Sequence, residues 1–171
     1  VASAAPIATN WLTDNTPWNN VNNHQATVIG SFDPNFKEVS PKGVGPQGNI
    51  YKNDSILTYV VHFQNTGSYY AQNIVVIDSI DSHLNITSLR PGYSDHNYTA
   101  TLSETGVAKF SFKNINLAWQ SGYGDALSSG MFTYSVKLKK NLPVGTQIKN
   151  KAFIYFDFND PIITNTWTEL F

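Results

Sequence analysis

Three polar side chains fall on strand faces that the sequence otherwise reserves for apolar residues: Lys37, Asp78 and Asn150. Lys37 shares its parity with Val39, Asp78 with Ile74 and Val76, and Asn150 with Ile148, Ala152, Ile154, Phe156 and Phe158. A two-residue period puts each set on one face of a strand. A lone charge on a buried face is expensive, so Lys37 and Asp78 are expected to pair. Desolvation also favours the unprotonated amine, which is the nucleophilic form of lysine. The bland alternative has Lys37 reaching the sheet edge along its stem, Asp78 closing a turn, and Asn150 bonding backbone.

A second set is Asp33, Asn35, Asp157, Asn159 and Asp160, oxygen donors on two turns that become neighbours if the first and last strands pair. Calcium takes six to eight such oxygens, so a calcium site is one expectation. Asx turns alone also explain Asp33-Pro34-Asn35 and Asn159-Asp160-Pro161. Aromatic residues in or beside loops, Tyr69, Tyr70, Tyr93, Tyr98, Trp119 and Tyr123, form the third set. Exposed flat rings can stack on sugars, which makes Tyr69, Tyr70, Trp119 and Tyr123 candidate ligand residues; covering the ends of a core is the alternative. The four histidines, 24, 62, 83 and 96, lack zinc-site spacing, and no Gly-x-Ser-x-Gly elbow occurs. No catalytic nucleophile acting on an outside substrate is identified, and no cofactor is expected beyond the ion.

The elements that must position these residues are strands. Leu57, Tyr59, Val61 and Phe63 share one parity in the clearest strand, which Asn65-Thr66-Gly67 ends. The chain is expected to turn there and return as a paired strand over 71–78. Ala108, Phe110 and Phe112 alternate cleanly, as do Phe132, Tyr134, Val136 and Leu138. A single long strand is predicted over 146–158, weaker strands over 84–89 and 98–102, and a Gly, Ser and Trp loop over 115–130. Many strands without helical periodicity predict an all-β, immunoglobulin-like antiparallel β-sandwich, with a jelly roll as the alternative. Residues 1–28, rich in Asn and Thr, read as a linker or N-terminal arm anchored by Trp11 and Trp18, and 29–171 as the domain.

Composition narrows the function. Only 13% of residues are charged and the net charge is -1, which argues against nucleic acid. Lys139, Lys140, Lys149 and Lys151 read as strand-edge protection. No apolar run is long enough for a membrane-spanning helix. With no cysteine, durability must come from packing, an ion or another cross-link. The chain starts without Met and reads as a fragment or processed piece.

LTYVVHFQNTG at 57–67, the strand ending in Asp78 and Asn150-Lys151-Ala152 resemble bacterial surface repeats. FDPNFKEVSPKG at 32–43, FQNTG at 63–67 and IYFDFNDPIITN at 154–165 are more closely similar to a domain of unknown function near the C-termini of large secreted bacterial proteins that end in a type IX secretion signal. The likeness covers about residues 31–166. It implies an extracellular or cell-surface location, an Ig-like fold, neighbouring domains of the same chain as partners, and no known reaction. Phe36 stands where this family usually has an acidic residue, which weakens a metal site, and Ala118-Trp119-Gln120 replaces an expected Pro-Asp-Ser. The pattern also resembles Gram-positive adhesin domains. That resemblance implies a self-formed isopeptide in which Lys37 attacks the Asn150 carboxamide, Asp78 shuttles the proton and ammonia leaves. Asp54-Ser55-Ile56 and Asp78-Ser79-Ile80 resemble O-glycosylation acceptors of secreted proteins. The expected function is a non-catalytic structural or adhesive module; a carbohydrate-binding module, or an accessory domain aiding type IX secretion, are the alternatives.

Overall fold

The computed structural model describes residues 33–45, 48–50 and 55–171. The predicted arm, with Trp11 and Trp18, and residues 29–32 lie outside them. The compact unit described is Asp33–Phe171.

In chain order the elements are β1 (Lys37–Ser40), β2 (Ile56–Gln64), β3 (Ile74–Ser79), β4 (Leu84–Ser94), β5 (Thr99–Leu102), β6 (Val107–Phe112), α1 (Gln120–Tyr123), α2 (Asp125–Ser128), β7 (Ser129–Leu138), β8 (Gln147–Asn150), β9 (Ala152–Phe156), β10 (Ile162–Ile163) and β11 (Trp167–Leu170). Strands β1-β2-β7-β4 form one sheet, β10-β9-β3-β6-β5 a second, and β11-β8 a two-stranded ribbon. Every strand pair is antiparallel. The fold is the antiparallel β-sandwich that the alternation predicts. Leu57, Tyr59, Val61 and Phe63 from one sheet, and Ile74, Val76, Phe110, Phe112 and Ile154 from the other, are buried in a single core. Rings fill much of it: Phe110 lies 4.6 Å from Phe132 and Phe63 5.2 Å from Phe112, tilted as aromatic quadrupoles prefer.

Two expectations about connectivity and one about the direction of a side chain are corrected. The strand over 57–63 does not pair with the one that follows. β2 pairs with β1 and β7, whereas β3 crosses to the other sheet and pairs with β6 and β9. The Asn65 turn is tied across the sandwich: its Nδ2 donates to the carbonyls of Tyr69 and Leu117, and its Oδ1 accepts from Gly67 N. A tight hairpin would leave no room for those partners. The long strand over 146–158 is broken at Lys151 into β8 and β9, which belong to different sheets. Ala152 N donates to Thr164 Oγ1, so its bond leaves the ladder and the chain turns a corner there. Asp157 then takes a positive φ of 52°. That throws Phe158 into solvent, although its parity had placed it inward.

The weak segment over 84–89 is the start of an eleven-residue strand, β4, that runs past Pro91 on a sheet edge with two register shifts. The 115–130 loop carries the two single-turn helices α1 and α2. Four residues are too few to show a helical period in the sequence.

Candidate functional site

The four side chains of the buried polar cluster come from four strands. Lys37 is the first residue of β1, Tyr134 lies in the middle of β7, Asp78 is near the end of β3, and Asn150 ends β8. Strand alternation aims all four into the sandwich. Lys37, Asp78 and Tyr134 have no exposed surface and Asn150 is 3% exposed. Full burial excludes the alternative in which Lys37 snorkels to the sheet edge.

The Lys37 Nζ donates to Asp78 Oδ2, to Asn150 Oδ1 and, at 2.7 Å, to the Tyr134 hydroxyl. Asn150 Nδ2 donates to Asp78 Oδ1 at 2.9 Å, and the Tyr134 hydroxyl donates to Asp78 Oδ2 at 2.6 Å. Each Asp78 oxygen therefore faces one of the two side chains, the Lys37 amine on one side and the Asn150 carboxamide nitrogen on the other. The amine also lies 4.4 Å from the centroid of the Tyr59 ring and 5.0 Å from that of Tyr134. Burial lowers the Lys37 amine below its ordinary 10.5, and the charge and hydrogen bond of Asp78 oppose that shift without cancelling it. Burial first, and the nearby Asp78 charge second, raise the Tyr134 hydroxyl well above its ordinary value, so it stays protonated.

The backbone of Lys37 is clamped from the last part of the chain. Lys37 N donates to Asn165 Oδ1 at 2.8 Å, Asn165 Nδ2 returns a bond to Lys37 O at 3.0 Å, and Trp167 Nε1 donates to the same carbonyl. This clamp occupies the backbone of an edge strand, whose strand partner among the described residues is β2. Asn165→Ala is expected to cost about 1–3 kcal/mol, the worth of two modest hydrogen bonds, and to loosen the lysine's position. Thermal unfolding measures the first effect.

The structure brings Lys37, Asp78 and Asn150 together. It does not supply the pairing on which the calcium expectation rested. β1, which follows Asp33 and Asn35, pairs with β2, while the 157–160 turn follows β9 in the other sheet. The donors also have work of their own. Asp33 Oδ1 accepts from Asn35 N, Asn35 Oδ1 from Gln64 N, and the Asp157 carboxylate from Gln72 N and Asn73 N. Among the described residues no three His, Cys, Asp or Glu side chains are grouped to hold a metal.

The ring cluster does form. Tyr69 stacks on Trp119 at 5.9 Å with 13° between planes, Tyr70 and Tyr123 meet Trp119 edge to face, and the Tyr70 and Tyr123 hydroxyls lie 2.7 Å apart. Tyr69 is 72% exposed. Tyr123 is 45% exposed, so the near-parallel pair of Tyr69 and Trp119 is flanked by two rings standing nearly edge-on to Trp119. Tyr98 packs on Phe110, Phe112 and Phe132, and Tyr93 is exposed. In the sequence, parity alone places Tyr134 in the core. Its legible signal was a hydroxyl-bearing ring between Phe132 and Val136 on an inward face.

Residues 33–170 match a family described as a domain of unknown function, DUF7619. The chain belongs to the DUF7619 family. No curated protein matches it. The DUF7619 fold is similar to that of the N-terminal domain of the Streptococcus gordonii adhesin Sgo0707, at TM-score 0.57 and 18% identity over 82% of this chain and 33% of that one. It is similar to BcpA, the major pilin subunit of Bacillus cereus, at TM-score 0.55 and 16% identity over 79% and 39%. The major pilin SpaD of Corynebacterium diphtheriae gives TM-score 0.51 and 18% identity over 78% and 34%. The chain thus spans well under half the length of these proteins. No helix among the described residues is long and apolar enough to cross a membrane.

Proposed function

We propose that this DUF7619 domain is a structural module of a secreted or cell-surface bacterial protein, and that it locks itself with an amide between Lys37 Nζ and Asn150 Cγ. The observation that carries this reading is the lysine amine held against the Asn150 carboxamide, with one Asp78 oxygen on each reactant, in a site closed to water. The fold likeness to adhesin and pilin domains supports the surface setting. The motif resemblance supports a place near the C-terminus of a multidomain protein exported by type IX secretion.

The protons balance through Asp78. Lys37 gives one proton to Asp78 Oδ2, and the neutral amine attacks Asn150 Cγ. A second proton passes from the attacking nitrogen to the Asn150 nitrogen by way of the Asp78 carboxyl. The Cγ–Nδ2 bond then breaks and ammonia leaves. Ammonia takes up the proton left on Asp78 and diffuses out as ammonium. Such a reaction turns over once per molecule, so the domain is modified by its own chemistry and is not an enzyme. It needs no cofactor.

Intact-mass measurement of the denatured protein tests the proposal. A deficit of one ammonia, with a Lys37–Asn150 branched peptide after digestion, is expected. The full sequence mass in a folded sample would overturn it.

A further inference from the structure

We propose that Tyr134 is the oxyanion donor of the cross-linking reaction, its hydroxyl turning from Asp78 to the Asn150 oxygen as the lysine proton moves. This inference rests on the cross-linking reading above and adds a fourth residue with its own chemical task.

Attack on Cγ turns the Asn150 carbonyl oxygen into an alkoxide. In a site buried from bulk solvent, a negative oxygen without a preorganised donor is costly, and supplying one donor is commonly worth about 10²–10³ in rate. Asp78 does not supply it. Its two oxygens are occupied by Lys37 and by the Asn150 nitrogen, the atoms between which protons must travel. Lys37 gives up its contact with Asn150 Oδ1 as a donor when its nitrogen bonds to the carbon. Among the described residues, what remains within reach of that oxygen is the Tyr134 hydroxyl, 3.4 Å from it.

The same hydroxyl has two candidate acceptors, and the reaction changes which is better. Before reaction, Asp78 Oδ2 is a carboxylate at 2.6 Å and holds the tyrosine hydrogen. Once the lysine proton lands on Oδ2, that oxygen becomes a donor itself and its attraction for the hydrogen falls. The negative charge is then on the Asn150 oxygen. Rotation about the Tyr134 C–O bond moves the hydrogen from one to the other, and the ring stays where Tyr59 and Phe110 pack against it at 5.2 Å each. The hydroxyl remains protonated throughout, because burial disfavours the phenolate. It therefore donates without entering the proton count. Tyr59, the other ring over the amine, offers no equivalent, since its hydroxyl makes no hydrogen bond among the described residues.

The test is a time course of ammonia loss, by intact mass of acid-quenched samples, in freshly synthesised wild-type protein and Tyr134→Phe. The folded fraction is followed in parallel by circular dichroism. Phenylalanine keeps the ring, so the variant is expected to fold and to form the amide on the order of 10²-fold more slowly per folded molecule. Tyr134→Phe in an Asn150→Ala background gives the cost of the hydroxyl to folding alone. Equal rates in wild type and Tyr134→Phe would overturn the role of Tyr134 and leave the cross-link intact. A wild-type protein that never loses ammonia would overturn both. A second measurement needs no variant: a structure of the cross-linked protein is expected to place the Tyr134 hydroxyl about 2.8 Å from the new amide oxygen. An amide oxygen turned away from Tyr134 would refute the assignment.

Discussion

Asn150→Ala should yield a folded protein that retains its full mass and melts roughly 12–20 °C below the wild type. The missing amide would close a loop between residues 113 positions apart, and the chain-entropy model for a covalent closure of that size gives about 4–5 kcal/mol. For a domain of this length, each kcal/mol shifts the melting midpoint by about 3–4 °C. The same variant gains a pH dependence that the cross-linked protein lacks. Its Lys37 remains an amine whose folded-state pKa lies below the unfolded value of 10.5. The unfolded chain binds the extra proton between those two values. Stability from this group is therefore complete above 10.5 and is lost as pH falls through the folded-state value. In a cross-linked wild type the nitrogen would be an amide and would not titrate. Comparing the two proteins between neutral pH and about 9 keeps the reading clear of the buried tyrosines, Tyr59 and Tyr134, whose raised values lower stability only above their ordinary value of 10. A steeper loss of stability with falling pH in Asn150→Ala than in the wild type is the expected result.

A larger loss is expected from Asp78→Asn. The amide side chain has nearly the shape of the carboxylate but cannot accept the lysine proton, so no ammonia should leave. It also removes the counter-charge of a fully buried lysine, and breaking a buried pair in this way costs about 3–5 kcal/mol. Together with the missing cross-link the deficit reaches about 7–10 kcal/mol, comparable to the whole stability of many domains. Lys37→Met combined with Asp78→Leu separates the two parts. Removing both charges should recover several kcal/mol relative to Asp78→Asn, although the double variant is equally unable to cross-link. Urea unfolding of the three proteins, with intact masses taken on the same samples, measures each term. Ammonia loss in Asp78→Asn would remove Asp78 from the mechanism.

The site was more legible than the topology. Parity alone marked Lys37, Asp78 and Asn150 as inward, because a period of two survives whatever sheet a strand joins. Partner choice leaves no such trace. Nothing in the spacing of 57–67 and 71–78 distinguishes a hairpin from a crossover, and it is the side-chain bonds of Asn65 to Tyr69 and Leu117 that make the difference. The corner at Lys151 was hidden for a related reason. Alternation runs unbroken from Ile148 to Phe156 while the ladder partners change from β11 to β3 and β10. Tyr134 carries no site signal of its own in the sequence, because an aromatic ring on an inward face satisfies the core pattern, and its hydroxyl acquires meaning only when three other strands bring Lys37, Asp78 and Asn150 to it.

The position of Lys37 at the start of the first strand has a consequence for how the domain would carry tension. A pull on its two ends would enter at residue 33, pass within a few residues into the Lys37 side chain and leave through Asn150. The chain between them, roughly 370–410 Å when drawn out, would never feel the load. Among the described residues only 33–36 and 151–171 lie outside that loop, and stripping away the longer piece would gain about 70 Å. Asn165 and Trp167 in that tail grip the backbone of the residue where the tension arrives. With the cross-link in place, the give in the domain would be confined to one short segment, stitched at the point of strain, and the rest would behave as an inextensible link.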